Sequence, residues 1–229
     1  MKNQLHTKLS LLALCSAIML PTAFAEDKKE DKGEKPTATP GWIVIEDDFW
    51  YPWAFEPIYW FDSAESHYRQ RQEKAAASEL RKAESWLNFA ATHAQPITKK
   101  SLDEASAALK ALADDLDKGK IGSMRDLDSA MVKANKALAE WHYFKADQNL
   151  AKSEEKDAAQ NLQAAARYLK KAADSARYQY GSEFVSVYDD LFGWTVTDVV
   201  PNTLKSNLAV VKTEIGRLAA TLKKDSETK

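Results

Sequence analysis

Residues 76–87 read Ala-Ala-Ser-Glu-Leu-Arg-Lys-Ala-Glu-Ser-Trp-Leu, and residues 158–169 repeat this pattern as Ala-Ala-Gln-Asn-Leu-Gln-Ala-Ala-Ala-Arg-Tyr-Leu. A shorter stretch, Ala-Glu-Ser-His-Tyr at 64–68, returns as Ala-Glu-Trp-His-Tyr at 139–143. The first pair lies 82 positions apart and the second pair 75. The second copy therefore has seven more residues between its two matching stretches than the first copy has. Seven residues make about two turns of helix, which lengthen a helix and leave its apolar stripe facing the same direction. The pattern therefore predicts a helical unit that occurs twice.

The two copies span about 62–93 and 137–178, and apolar residues recur through both at intervals of three and four. The same interval runs through the last segment, from about Asn202. This spacing places apolar side chains on one face of a helix, and such helices pack nearly parallel or antiparallel. We predict an all-α fold, an antiparallel helical bundle over residues 62–224 with a short tail at 225–229. The positions expected to be buried are Leu80, Ala83, Leu87, Ala90, Leu102, Ala105, Leu109, Leu112, Leu116, Leu127, Met131, Ala134, Leu138, Trp141, Leu162, Ala165, Leu169, Ala172, Ala176, Leu204, Leu208, Val211, Ile215, Leu218 and Leu222.

The run 68–76, together with Leu80 and Ala83, resembles the centre of a tetratricopeptide repeat. That family joins two helices by a tight turn, with an aromatic residue before the turn and a small residue early in the second helix. Arg71 and Ser153 stand where the family prefers glycine. The copies also lie farther apart than the family's period of about 34 residues. Each copy is therefore either a helical hairpin or one long helix, and the resemblance implies a binding role.

The first 25 residues have the features of a secretory signal. Lys2 and Lys8 flank the start of a mostly apolar run at 9–20, and Ala-Phe-Ala at 23–25 supplies a cleavage site. The apolar run is shorter than the roughly 20 residues that a membrane-spanning helix needs. We therefore expect cleavage, a periplasmic or secreted protein, and no transmembrane segment in the mature chain. The single cysteine lies within the signal, so the mature protein has no disulfide or thiol chemistry.

Residues 26–40 form a charged, Lys/Glu-rich tract without a large apolar side chain, and we expect a disordered leader there. The net charge of the whole chain is −2, and loss of the two lysines of the signal makes the mature protein more acidic. An acidic balance argues against a nucleic-acid partner. The exported, cysteine-free, alanine-rich helical character is also similar to the YfdX-like periplasmic proteins. That resemblance implies a binding or stress-related role.

Residues 41–61 are rich in aromatic side chains and contain Pro52 and Pro57, which we expect to prevent one continuous helix. The prediction is an irregular segment. One interpretation is a clasp, in which the rings cover the end of the bundle and add to its core. The other is a partner-binding surface, because aromatic clusters mark interfaces. We favour the clasp; the candidate partner-binding residues are Trp50, Trp53, Tyr59 and Trp60.

The repeated Glu-x-His-Tyr motif contains His67 and His142, which an internal two-fold axis would bring to equivalent places. Paired imidazoles there could hold a metal ion or a haem. Metal-binding helices place ligands at i and i+3 or i+4, and the i+4 positions here are Arg71 and Ala146. We therefore expect both His-Tyr pairs to pack where the copies meet. A metal- or haem-binding bundle that uses His67 and His142 is the alternative.

The sequence carries no catalytic signature, such as the nucleophile elbow of Ser-His-Asp hydrolases. We predict an exported, non-enzymatic helical module that acts in interaction or stress protection through protein or small-ligand binding. Its expected partner is an unidentified periplasmic protein, and we expect no cofactor.

Overall fold

The computed structural model describes residues 47–120, 123–193 and 201–227. Within these residues the chain forms seven helices and no strand, which confirms the predicted all-α class. All of them belong to one compact unit. The predicted signal and leader, residues 1–25 and 26–40, lie outside the described residues. The helices are α1 (Asp47–Arg69), α2 (Glu73–Thr92), α3 (Pro96–Asp117), α4 (Met124–Ala151), α5 (Glu155–Ala176), α6 (Ser182–Gly193) and α7 (Pro201–Glu227).

Helix α1 shows that the predicted irregular aromatic segment is wrong from residue 47 onward. The helix continues through Pro52 and Pro57 and crosses the expected domain boundary between residues 61 and 62. An interior proline removes one helical hydrogen bond and costs about 3 kcal/mol or more. Burial of large apolar side chains offsets this cost, at about 1.5–3 kcal/mol for each side chain. The large side chains of α1 that are buried in the core are Phe55, Ile58 and Phe61.

The Tyr168 hydroxyl of α5 supports α1 close to the second proline. This side chain is fully buried, and its hydroxyl donates a hydrogen bond to the Ala54 carbonyl at 2.6 Å. Ala54 belongs to the turn before Pro57, where an interior proline disturbs the carbonyls of the helix. Burial raises the pKa of Tyr168 well above its ordinary value, so the hydroxyl remains a donor.

The hairpins α1–α2 and α4–α5 are joined by the same kind of turn. Arg71 and Ser153 both have left-handed backbone conformations, with φ of 57° and 63°. The Gln72 backbone N–H donates to the His67 carbonyl at 2.9 Å, and the residue after Ser153 makes the equivalent bond at 2.9 Å. This Schellman arrangement satisfies carbonyls at a helix end and usually places glycine at the left-handed position. The hairpin is thus the form that each copy takes, whereas the duplication of one unit stays a prediction.

Local chemistry defines the ends of the central helices. The Asp126 carboxylate accepts hydrogen bonds from the Ser123 backbone N–H at 2.6 Å and from its hydroxyl at 3.1 Å, which forms a capping box at the start of α4. Pro96 opens α3, where its fixed φ suits the first turn. Gly119, with φ of 67°, follows the end of α3.

Helix α4 lies at the centre of the core. It packs along α5 on one side and α3 on another, and α7 lies against both α4 and α5. Helix α7 extends past the expected boundary at residue 224. Of the positions predicted to be buried, Leu112, Ala176 and Leu222 are half-buried and the others are buried. Many core residues are alanines, which let the helix backbones approach closely.

Candidate functional site

Asn135 is a buried polar residue on α4 whose amide is only half satisfied. The residue is 1% exposed, and its Nδ2 donates to the Met131 carbonyl at 2.9 Å. Its Oδ1 is also buried and accepts no hydrogen bond from the described part of the chain. Leaving a buried acceptor without a donor costs about 1–3 kcal/mol, and native proteins do so rarely. The position therefore suggests a role other than stability.

Asn135 lines a cleft of about 290 Å³ between α1, α4 and α5. The lining combines three apolar side chains with nine charged or polar ones. Helix α4 supplies Asp128 and Asn135, which are seven residues and therefore about 10 Å apart along the helix axis. The cleft is lined by Ile58, Phe61, Asp62, Glu65, Arg69, Asp128, Met131, Asn135, Lys171, Asp174, Ser175 and Arg177.

Most of the charged groups of the cleft are already paired. Lys171 binds the Asp62 carboxylate at 2.8 Å and thereby ties α5 to α1. Arg69 binds Glu65 one turn earlier on α1 at 2.5 Å. Asp174 binds Lys170 of its own helix at 2.7 Å. These pairs lie near the surface, where each contributes little to stability, but they fix the positions of the rim side chains.

Asp128 and Arg177 form neither an ion pair nor a hydrogen bond through their side chains with other described residues. Asp128 is half-buried, and Arg177 is exposed. Burial raises the pKa of the Asp128 carboxyl, and the negative charge of Glu65 adds to the shift. The positive charges of Arg177 and Arg69 oppose it. Arg177 ends α5 with a left-handed φ of 55°.

The cleft offers hydrogen-bond acceptors more than reactive groups. Its lining contains neither histidine nor cysteine, and Ser175 is its one hydroxyl side chain. The last turn of α5 contributes Asp174 and Ser175, so the negative end of the helix dipole lies beside the cleft. A wider groove of about 910 Å³ adjoins the Asp128 end and shares Asp128, Ser175 and Arg177 with the cleft. The arrangement suits reversible binding of a hydrogen-bond donor.

His142, one of the two predicted histidine ligands, is fully buried between α4 and α5. Its Nδ1 lies 3.0 Å from Asn161 Oδ1. Asn161 Nδ2 donates to the Asp157 carbonyl, so Oδ1 faces His142 and Nδ1 carries the hydrogen. The imidazole also stacks on Tyr168, with ring centroids 5.6 Å apart. Burial lowers the pKa of His142 to about 3, so the ring is neutral at physiological pH.

His67 lies in different surroundings, half-exposed in the last turn of α1. Its Nδ1 is 2.7 Å from the Gln72 side-chain oxygen. Helix α1 meets Tyr168 near its start and Lys171 farther along, so it runs toward the C-terminal end of α5. This course carries His67 away from His142, and the two imidazoles do not occupy equivalent places. In the residues that the structure describes, no group of three or more potential metal ligands occurs.

The predicted partner-binding aromatic residues do not form one surface. Trp53 is half-buried, with its ring centroid 5.1 Å from that of Trp86, and Trp60 packs against the core. Tyr59 points outward and is 61% exposed. Trp50 lies in α1, but its side chain is outside the described part of the chain. The aromatic residues of α1 therefore serve packing more than a common binding face.

None of the described helices combines the length and apolar character that crossing a membrane requires. Comparison of the chain with protein-family models, with curated proteins and with solved structures gave no match.

Proposed function

We propose that this protein is an exported, non-enzymatic binding module, and that it holds a small molecule in the cleft between α1, α4 and α5. Export is inferred from the signal-like first 25 residues. The tetratricopeptide-like hairpins and the similarity to YfdX-like periplasmic proteins agree with a binding or stress-protective role.

The unpaired Oδ1 of Asn135 is the observation that carries this proposal. An apolar residue at the same place would avoid a cost of about 1–3 kcal/mol. A bound donor would remove that cost, and the gain would appear as binding affinity. The position is thus better suited to a bound state than to the free protein.

Binding without reaction follows from the kinds of side chain at the cleft. Nucleophilic catalysis needs a nucleophile held next to a base, and general acid–base catalysis most often uses histidine. The cleft combines three paired carboxylates and the unpaired Asp128 with one amide and one serine, and no imidazole is among its lining residues. We infer that the ligand leaves the site chemically unchanged.

Native mass spectrometry of protein purified from the periplasm tests the proposal. Wild-type protein, incubated with periplasmic extract, should carry a small-molecule adduct, and Asn135→Leu should carry much less of it. The released molecule should have the same mass before and after incubation with the protein. The purified protein should begin at Glu26 if export and cleavage occur as proposed.

Equal adducts on wild type and Asn135→Leu would place the binding elsewhere and refute the cleft. A wild-type protein that carries no adduct would refute the binding function itself. A released molecule of altered mass would refute the non-enzymatic assignment. Circular dichroism of Asn135→Leu, which should match wild type, excludes unfolding as the cause of lost binding.

A further inference from the structure

The wider groove beside the cleft has an apolar floor. It has a volume of about 910 Å³ and lies between the first turns of α4, the last turn of α5 and the end of α7. Among its lining residues Val132 is buried, and Met124 and Leu222 are half-buried. Ligand pockets in proteins are about 300–1,000 Å³ in volume and mostly apolar. The groove therefore has the size and the floor of a site for a small apolar or amphiphilic molecule.

Three cations border this floor and have no acidic partner. Arg125 and Lys133 of α4 and Arg177 at the end of α5 line the groove, and all three side chains are exposed. None of them forms an ion pair or a side-chain hydrogen bond with another residue of the described ranges. Other cations of the same helix are paired, since Lys136 binds Glu140 one turn later at 2.5 Å. The cations of the groove are thus available to an anion.

The spacing of residues along α4 explains why its two groove cations are unpaired. Ser129 follows Arg125 by four residues and precedes Lys133 by four, so the three lie on one stripe of the helix. No position three or four residues from Lys133 holds an acid. Asp128 lies three residues after Arg125, a spacing that permits an ion pair, but does not bind it. The stripe therefore presents two positive charges on either side of a serine.

The charge balance of the whole lining also favours an anion. Its three cations face two carboxylates, those of Asp128 and Asp225. Burial raises the pKa of the Asp128 carboxyl, which makes its negative charge less favourable. The N-terminus of α4 and the C-terminus of α5 both border the groove, so their dipoles oppose each other and the side chains set the sign.

We propose that this groove binds a single-chain anionic amphiphile of the fatty-acid class, with its chain on the apolar floor and its carboxylate among the three cations. The cations are exposed whereas the apolar residues are buried or half-buried, which suits one inserted chain better than the flat surface of a bilayer. Asn135 does not line the groove. The inference therefore goes beyond the proposed function and does not depend on it.

Isothermal titration calorimetry of the mature protein with octanoate, decanoate and decyltrimethylammonium tests the ligand class. Decanoate should bind about tenfold more tightly than octanoate, because each buried methylene strengthens binding about threefold to fourfold. Decyltrimethylammonium has a chain of the same length and the opposite charge. It should bind about tenfold more weakly than decanoate, because it meets the unpaired cations.

Substitutions around the groove test its position by the sign of their effects. The double variant Arg125→Gln, Lys133→Gln should weaken decanoate by about threefold to tenfold, as expected for two exposed charge pairs. Leu222→Ser should weaken it by removing part of the floor. Asp128→Asn should strengthen it, because a like charge is lost. Lys74→Gln, an exposed and unpaired lysine of α2, is the matched control and should leave the affinity unchanged.

Four results would overturn the assignment. They are equal affinity for decanoate and octanoate, binding of decyltrimethylammonium as tight as that of decanoate, an unchanged affinity in the double variant, and weaker binding of decanoate by Asp128→Asn. Phosphatidylglycerol vesicles that sediment wild type but not the double variant, without binding of decanoate, would assign the cations to a membrane surface instead.

Asn135→Leu separates this inference from the proposed function, since it should not change the affinity for decanoate. If decanoate fails to bind but an adduct from periplasmic extract depends on Asn135, the proposed function stands and only the groove assignment fails. If decanoate binds as expected and no adduct depends on Asn135, the groove assignment stands and the cleft fails.

Discussion

Two matched substitutions on neighbouring helices should change the stability of the protein in opposite directions. Asn135→Leu removes the hydrogen bond to the Met131 carbonyl, which is worth about 0.5–1.5 kcal/mol. It also removes a buried oxygen without a donor, which relieves about 1–3 kcal/mol. The Met131 carbonyl keeps its place in the helical hydrogen-bond ladder, and the adjoining cleft accommodates the larger side chain. We expect a net gain of about 1 kcal/mol.

Asn161→Leu is the same change at a buried amide that is fully used. Asn161 accepts from His142 Nδ1 at 3.0 Å and donates to the Asp157 carbonyl at 2.9 Å. Loss of the amide leaves the buried imidazole N–H without this acceptor, which costs about 1–3 kcal/mol. We therefore expect a clear loss of stability from Asn161→Leu.

Urea denaturation and thermal melting of both variants measure the difference. For a chain of about 150–250 residues, 1 kcal/mol moves Tm by about 2–4 °C. Asn135→Leu should raise Tm by about that amount, and Asn161→Leu should lower it by as much or more. A fall of Tm in Asn135→Leu similar to that in Asn161→Leu would show that Asn135 Oδ1 is satisfied in solution, and would refute the reasoning behind the site.

Other predictions concern the fold. Tyr168→Phe should cost about 0.5–1.5 kcal/mol in urea denaturation, because it removes one buried hydrogen bond while the Ala54 carbonyl stays in the helical ladder of α1. Tyr59→Phe on the exposed face should be neutral. Because burial lowers the folded-state pKa of His142 to about 3, below the unfolded value of about 6.5, stability should fall as pH decreases between these values, by up to about 1.4 kcal/mol per unit. His142→Phe should make the stability of the protein less dependent on pH in this window, even though its stability at pH 7 is lower; an unchanged slope would contradict a buried neutral ring. Ser153→Gly should stabilise by about 1 kcal/mol and Gly119→Ala should destabilise, since both positions have φ above 50°; equal melts of wild type and both variants would contradict the left-handed turns.

The helical fold could be predicted because its signal is periodic and local. The stripe from Leu204 to Leu218 in α7 repeats at three and four residues, and all of its members are buried. The turn at Arg71 was harder to predict from the sequence, because arginine seldom adopts the left-handed conformation that the turn requires. The sequence allowed a hairpin or a long helix there, and the choice depends on which partner helices the apolar stripes meet.

The prediction for α1 was wrong because tertiary packing stabilises the helix by more than its two prolines destabilise it. Pro52 and Pro57 each weaken the helix, and the sequence gives no sign of what compensates. The compensation comes from burial of the α1 face and from the hydroxyl of Tyr168, which is 114 residues away from Ala54 in the chain. Propensity is a weak prior in such cases, because packing routinely outweighs it.

The cleft escaped prediction for a related reason, since its parts come from three helices that are distant in sequence. Asp62, Asp128 and Lys171 are unremarkable charged residues until the fold brings them to one place. One feature of the sequence could have indicated the cleft. Asn135 is a polar residue that borders the buried stripe of α4, and it lies seven residues from Asp128 on the same face of the helix. Local rules would favour an apolar side chain there, and positions that break such rules without structural compensation tend to be functional. Asn161 shows the contrast, because its buried amide has a partner within the fold at both its oxygen and its nitrogen. The difference between these two asparagines, rather than the presence of either, is what points to a ligand in the cleft.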